Sequence, residues 1–262
     1  KRVAQVGALL AAHIMMALPA LAQSIDQGLN SPHDASLDGH RIDSLINVSL
    51  YFLGALFLIM VAWMLIAVFK HNKNHIAVYA PGSKRSKLVP LGFAAFCFVV
   101  VDGNLFYHST IDMEHVFWNF KDVDKKPDVV RVQVNAHQWA WDFRYAGPDG
   151  EFNTEDDIVS LNDLRVPIDR PILMQMASVD VVHAMYLPHF RVKMDVVPGT
   201  VTSAWFQAKE TGLFEVACAQ HCGAMHYKMR AELTVLSAGE FASWAERASA
   251  LSRRAYDPKN ED

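Results

Sequence analysis

Long blocks of apolar residues fill the first hundred positions, and short alternating ones follow. Lys1 and Arg2 precede an apolar run from Val3 to Leu18, and Pro19 leads into the small-residue triplet Ala20-Leu21-Ala22. A basic start, an apolar stretch and small residues behind it have the form of a cleavable export signal over residues 1–22. The alternative, a retained membrane helix, would use the same run, which is short and broken for a span. Residues 23–43 are polar, with Asp26, Asp34, Asp38 and Asp43 against Arg41, and predict an external leader.

Leu45 to Phe69 then carries no charge over 25 residues, enough to cross a hydrocarbon layer of roughly 30 Å as a helix. A second run, Leu88 to Tyr107, is also long enough, although Asp102, Gly103 and Asn104 interrupt it near its far end. Lys70, Lys73, Lys84, Arg85 and Lys87 lie between the runs with no acidic residue. Such a loop, 70–87, belongs in the cytoplasm, so both ends of the hairpin (44–108) face outward. Asp102 reads as a side chain reaching water or a partner helix near the outer interface; the other reading is a proton-path residue.

After a connector over 109–128 the pattern changes to short β-type segments with Gly and Pro between them: Val129–Val134, Trp139–Tyr145, Ile172–Ala177, Val201–Gln207, Phe214–Ala217 and Glu232–Val235. Many short strands predict a β-sandwich or barrel over 129–236. Residues 237–262 end the chain as an amphipathic helix and tail, with Phe241, Trp244, Ala248 and Leu251 at helical spacing.

Composition agrees with this division. Hydrophobic residues make up 52% of the 262 residues, yet mean hydropathy is only +0.09, so apolar spans sit beside an ordinary polar domain. A net charge of −4 without a basic stripe excludes nucleic acid as a partner. The three cysteines do not make a disulfide framework, since Cys97 lies inside the second apolar run.

Cys218 and Cys222 carry the chemistry. The segment Cys218-Ala-Gln-His-Cys222-Gly-Ala-Met-His226-Tyr-Lys-Met229 packs two thiols, an imidazole and a thioether into one short loop. Thiolate and thioether are soft donors suited to copper, and imidazole serves copper equally well. Zinc competes, because two Cys and two His can close a tetrahedral site, but Met229 tilts the set towards copper. A Cys218–Cys222 disulfide would leave His226 and Met229 without a purpose. His221, directly beside Cys222, should point the other way. A second segment, Ser178 to Pro188, offers His183 after a strand-like run.

These motifs resemble subunit II of the haem-copper cytochrome c oxidases. The likeness rests on the two-helix hairpin, the aromatic segment His137-Gln-Trp139-Ala-Trp141-Asp-Phe143-Arg-Tyr145, the His183 segment with Lys193-Met-Asp195-Val-Val-Pro198-Gly199, and the C-x-x-x-C-G-x-x-H-x-x-M loop. It implies a mostly β chain: a cupredoxin-type β-sandwich on a two-helix transmembrane hairpin, holding the binuclear copper centre CuA. The ligands it implies are His183, Cys218, Cys222, His226 and Met229, with the backbone carbonyl of Gln220. Two shared thiolates would spread one unpaired electron over both metals, so that little rearranges on reduction. Trp139 matches the position that receives electrons from cytochrome c, and Asp180 an acidic docking position. Asp149, Glu151, Glu155, Asp156 and Asp157 form an acidic loop whose plainest reading is a solvated one; as a rim it would attract a basic cytochrome.

The resemblance further implies subunit I and other oxidase subunits as partners, with membrane lipid around the hairpin and the copper domain on the outer side of a bacterial plasma membrane. Electrons taken from cytochrome c, or an equivalent donor, would pass to haem in subunit I for reduction of O2 to water in a proton-translocating complex. Two departures matter. Gln220 stands where the family usually has a Glu that contacts magnesium at the subunit I interface, and a neutral amide is a poorer magnesium ligand. Ser83 to Val89 lacks the family's Glu ahead of Pro90, the residue at the opening of one proton channel. The rival readings are the CuA subunit of a nitric oxide reductase, a copper-delivery module, and the copper-free scaffold of a quinol oxidase, against which the intact cysteine loop argues.

Overall fold

The computed structural model describes residues 32–76, 78, 79 and 81–255; the expected export signal and the leader up to residue 31 lie outside them. Helix α1 (Gly39–Lys70) starts six residues before the apolar run. Those first turns are held by polar contacts. Arg41 donates to Asp112 at 2.8 Å, and Asp43 accepts a bidentate pair from Arg191 at 2.8 and 2.9 Å. The second run forms α2 (Lys84–Cys97), whose first turn is capped by Ser83 accepting from the Ser86 amide at 3.1 Å. It passes through a π-helical turn at Phe98–Asp102 into α3 (Gly103–Asp112) and a second π-turn at Met113–Phe117. Both helical stretches are apolar and long enough to cross a membrane, and their apolar windows are unburied in the chain.

The connector over 109–128 is mostly helical. Helix α3 and its π-turn reach Phe117, and a short α4 (Phe120–Asp124) follows. Packing explains it: Val123, Val129 and Leu173 are buried together with Phe120 and Trp205 beside them, and the Trp205 indole donates to the Val116 carbonyl at 2.8 Å.

Among the described residues ten strands form two five-stranded sheets packed face to face: β1 (Val130–His137), β2 (Ala140–Tyr145), β3 (Ile158–Leu161), β4 (Asp163–Pro167), β5 (Pro171–Ser178), β6 (His183–Leu187), β7 (Val192–Val196), β8 (Thr202–Gln207), β9 (Gly212–Cys218) and β10 (Arg230–Leu236). One sheet runs β3-β2-β1-β5-β8 and the other β4-β10-β9-β6-β7. Alternation decides which side chains enter the core. Val130, Val132, Val134 and Ala136 of β1 point inward while Arg131 faces out, and Trp141, Phe143 and Tyr145 of β2 do the same. They meet Leu164, Val166, Met185, Leu187, Val216 and Leu233 from the second sheet. The β1–β5 pair is parallel, as is β4–β10, whereas hairpin pairs such as β1–β2 and β6–β7 are antiparallel.

Helix α5 (Ala238–Ala255) closes the far side. Ser237 and Glu240 form a reciprocal cap, the Ser237 amide donating to Glu240 at 3.0 Å and the Glu240 amide to Ser237 Oγ at 3.4 Å. Trp244 then lies edge-on to Tyr145, ring centroids 5.2 Å apart.

The acidic loop after β2 differs from a uniformly solvated one. Asp156 and Asp157 are only 4% and 3% exposed; Arg253 of α5 donates to the first at 2.8 Å and Arg144 to the second at 3.1 Å. Burying a carboxylate needs such a partner. The loop also leaves β2 at Tyr145, opposite Val132, whereas Trp139 sits by the His137–Ala140 pair. About five residues of strand, roughly 17 Å, separate those pairs, so the loop is no rim around Trp139.

Candidate metal centre

The loop between β9 and β10 stands at the end of the sandwich where β6 begins, and backbone pairing fixes it there. Cys218 closes β9 and its amide donates to the Met229 carbonyl at 3.1 Å, while the Ala219 amide donates to the Ala184 carbonyl at 2.9 Å. Both ends of the loop are thereby stapled beside His183, the first residue of β6. A helical turn at His226–Lys228 brings His226 and Met229 back over Cys222.

Six donors converge. Cys218 Sγ lies 3.8 Å from Cys222 Sγ, 4.0 Å from His183 Nδ1 and 3.2 Å from the Gln220 carbonyl oxygen. Cys222 Sγ lies 3.5 Å from His226 Nδ1 and 3.6 Å from Met229 Sδ. The thiols are free, and the ligand atoms of His183, Cys218 and Cys222 all fall within 4.8 Å of one another. Two sulfurs bound at about 2.3 Å to one ion at a tetrahedral angle stand about 3.8 Å apart, so the spacing fits shared metal ligands and is far beyond a disulfide bond.

Burial makes the thiols depend on a cation. His183, Met229 and Cys222 are 0%, 1% and 3% exposed. Burial first, and the neighbouring Cys218 sulfur second, push the Cys222 thiol up to about 12. Two thiolates this close in a dry site repel each other unless positive charge sits between them, and a soft metal ion supplies that charge while displacing the protons.

Asp180 holds His183 from behind. His183 Nε2 lies 2.8 Å from Asp180, which orients the ring and directs Nδ1 at Cys218. Burial alone would raise the Asp180 carboxyl. The His183 hydrogen bond and the Val181 and Gln138 amides, both donating at 2.6 Å, outweigh it and hold the group at about 2. Trp141 closes the other side of His183, its ring centroid 6.0 Å away.

Trp139 occupies the turn after β1, 36% exposed, with its indole against the metal loop. Gly223 makes this approach possible: a Cβ there would stand 2.8 Å from Gln138 Nε2 and 3.3 Å from Trp139 Nε1, and its φ of +122° suits glycine. Gln138 ties the parts together, its side-chain amide donating to the Cys222 carbonyl at 2.7 Å while its backbone amide reaches Asp180. Each donor singled out in the sequence thus comes to one place, and Asp180 and Trp139 flank it. The sequence marked Gly223 only as part of the cysteine-loop motif and gave no role to Gln138 or to Asp180 behind His183; proximity to Trp139 and Cys222 was the available signal. His221 is exposed, with its ring 5.5 Å from that of His226.

The "Alternative cytochrome c oxidase subunit 2" of Bradyrhizobium diazoefficiens is 32% identical to this chain over 235 residues, covering 79% of each. The chain belongs to the cytochrome c oxidase subunit II family. The model of that family's periplasmic domain matches residues 130–235, the whole sandwich bar the last residue of β10. A cytochrome c oxidase subunit 2 of Thermostichus vulcanus is 33% identical over 138 residues, covering 53% of this chain and 39% of that one. Among solved structures, the periplasmic domain of subunit II of cytochrome oxidase from Bradyrhizobium japonicum is 31% identical, covering 47% of this chain and 94% of that one, with a TM-score of 0.42. Membership gives the chain its place as an electron-transfer subunit of a haem-copper oxidase, anchored by its two apolar helices.

Proposed function

We propose that this chain holds a binuclear CuA centre through His183, Cys218, the Gln220 carbonyl, Cys222, His226 and Met229, and that it receives electrons at Trp139 from cytochrome c or an equivalent donor. The observation that carries this reading is the convergence of six donors on two adjacent sulfurs. Two four-coordinate ions need eight metal–ligand bonds, and two sulfurs counted twice with four other donors supply eight. A single tetrahedral zinc would leave donors over. When bound, the copper pair supplies a one-electron acceptor and donor for haem in subunit I, where O2 is reduced to water.

The protein's own part is to hold and insulate. Asp180 orients His183, the loop backbone ties Cys218 and Met229 together, and the core side chains exclude water from Met229 and Cys222. A prebuilt set of donors lets charge change with little movement. Trp139 offers an exposed aromatic edge in contact with the loop that carries Cys222. The Lys- and Arg-rich segment 70–87 supports an orientation with the sandwich on the outer face of a bacterial plasma membrane, lipid around the hairpin and subunit I beside it. Gln220 is exposed and offers an amide, which argues against a strong magnesium site on this chain.

The test is to purify the full chain in detergent, load it with copper, and measure metal content and the electron spin resonance spectrum. Two coppers per chain with a mixed-valence spectrum support the proposal; one zinc, or a cystine at Cys218–Cys222, overturns it. Oxygen uptake with reduced cytochrome c by the complex purified from membranes tests the overall reaction, and uptake of nitric oxide in its place would reassign the gas.

A further inference from the structure

Asp102 is a charged side chain in a place that cannot leave it bare. It ends the π-turn of the second membrane helix, is exposed, and makes no hydrogen bond or ion pair among the described residues. The Arg41–Asp112 pair at 2.8 Å levels the outer end of α1 with that of α3, which it contacts. Leu45, where the charge-free run of α1 begins, is four residues or about 6 Å below Arg41, and Asp102 is ten residues or about 15 Å below Asp112. Asp102 therefore sits about 9 Å inside the apolar layer that α1 defines, by the same rise per residue. A carboxylate is too short to regain the interface from there, and bare contact with lipid is strongly unfavourable.

The helix at this depth is not uniformly apolar. Asn104 and His108, four residues apart and also exposed, lie on the side of α3 turned away from Asp102. The π-turn at Phe98–Asp102 adds a widened turn, a feature frequent at functional positions in helices.

We infer that Asp102 is a docking contact for a transmembrane helix of the partner membrane subunit, which presents a basic side chain to this carboxylate at hydrocarbon depth. A cation is the partner chemistry that cancels the charge and satisfies the oxygens at once. The inference rests on reading the chain as a subunit of a membrane oxidase and adds the residue that anchors it there.

The experiment uses the full chain with its partner subunits, extracted from membranes through a tag on this chain, as wild type, Asp102→Asn and Asp102→Leu. Copper content and the thermal midpoint of the sandwich report that each variant has folded. The Leu variant should retain the partner at least about tenfold less well through detergent washes, with Asn intermediate. A photoreactive residue placed at position 102 should crosslink to the partner polypeptide. Full retention by both folded variants overturns the inference, as does equal modification of Asp102 by a water-soluble carbodiimide in the isolated chain and the complex, which would mean a water-filled path. If the wild type retains a membrane protein without haem and the Leu variant loses it, the docking role stands and the oxidase reading falls. If the wild type retains no membrane protein, both fall.

Discussion

Replacing Asp180 by Asn removes one charge and one acceptor while keeping the shape, so its cost is traceable atom by atom. In the native site one carboxylate oxygen accepts from His183 Nε2 at 2.8 Å and the Val181 amide at 2.6 Å, and the other from the Gln138 amide at 2.6 Å. Asn offers one oxygen and one NH2. If the oxygen keeps His183 and Val181, the NH2 meets the Gln138 N–H donor to donor. Two bonds then drop from charged to neutral strength, about 1 kcal/mol each, and one is lost, about 1 kcal/mol at an exposed amide. The sum is roughly 3 kcal/mol, shared between folding and metal binding because the same bonds pin the Gln138–Trp139 turn and the His183 ring. Copper affinity should fall about tenfold to hundredfold, the usual effect of losing a partner behind a metal-bound His. Competition titration of the full chain with a copper chelator measures the second part and urea denaturation of the metal-free chain the first. Wild-type values in both would refute the claim that Asp180 positions His183.

Further substitutions separate holding the metal from delivering the electron. Met229→Leu should keep two coppers per chain but shift the midpoint potential, read by spectroelectrochemical titration, since Met229 Sδ lies 3.6 Å from Cys222 Sγ. Trp139→Phe should slow reduction by cytochrome c in stopped flow and leave the copper spectrum unchanged; a bleached spectrum would make Trp139 a structural residue. Asp156 lies at about 2, held down by Thr154 and Arg253, against an ordinary 3.8. A carboxyl lowered on folding stabilises above its unfolded value and loses that contribution as pH falls from about 4 towards 2. Asp156→Asn should therefore cost on the order of 1–2 kcal/mol at neutral pH and flatten the acid-unfolding curve in that window.

What could be read from the sequence follows physical range. Runs such as Leu45–Phe69 and alternations such as Val130, Val132 and Val134 declare themselves, because burial repeats along the strand or helix that carries it. Four strands gave no such sign: β3, β4, β6 and β7 have four or five residues each, too few positions for a period of two to stand out. The donors were legible because five of the six are encoded in one short loop or at its edge, and His183 through the segment around it. Their supports were not, since Gln138 reaches Cys222 across 84 residues and Arg253 reaches Asp156 across 97.

That division bears on how the site is built. Donor spacing along the loop decides which atoms can meet a metal, but Cys218 and His183 lie on separate strands, and the register Met185↔Cys218 sets them diagonally, two residues apart, on the same face of the sheet. A slip of two residues in that pairing would keep every side chain on its own face of the sheet and move Cys218 about 7 Å along β6. The core would survive and the metal site would not. The Cys218–Met229 staple closes the loop between β9 and β10, and the staple between Ala219 and Ala184 opposes that slip. A proline at position 219 would remove the second of them and leave all the donors in the sequence, so weakened copper binding by a folded Ala219→Pro chain would show that register, more than composition, makes the centre.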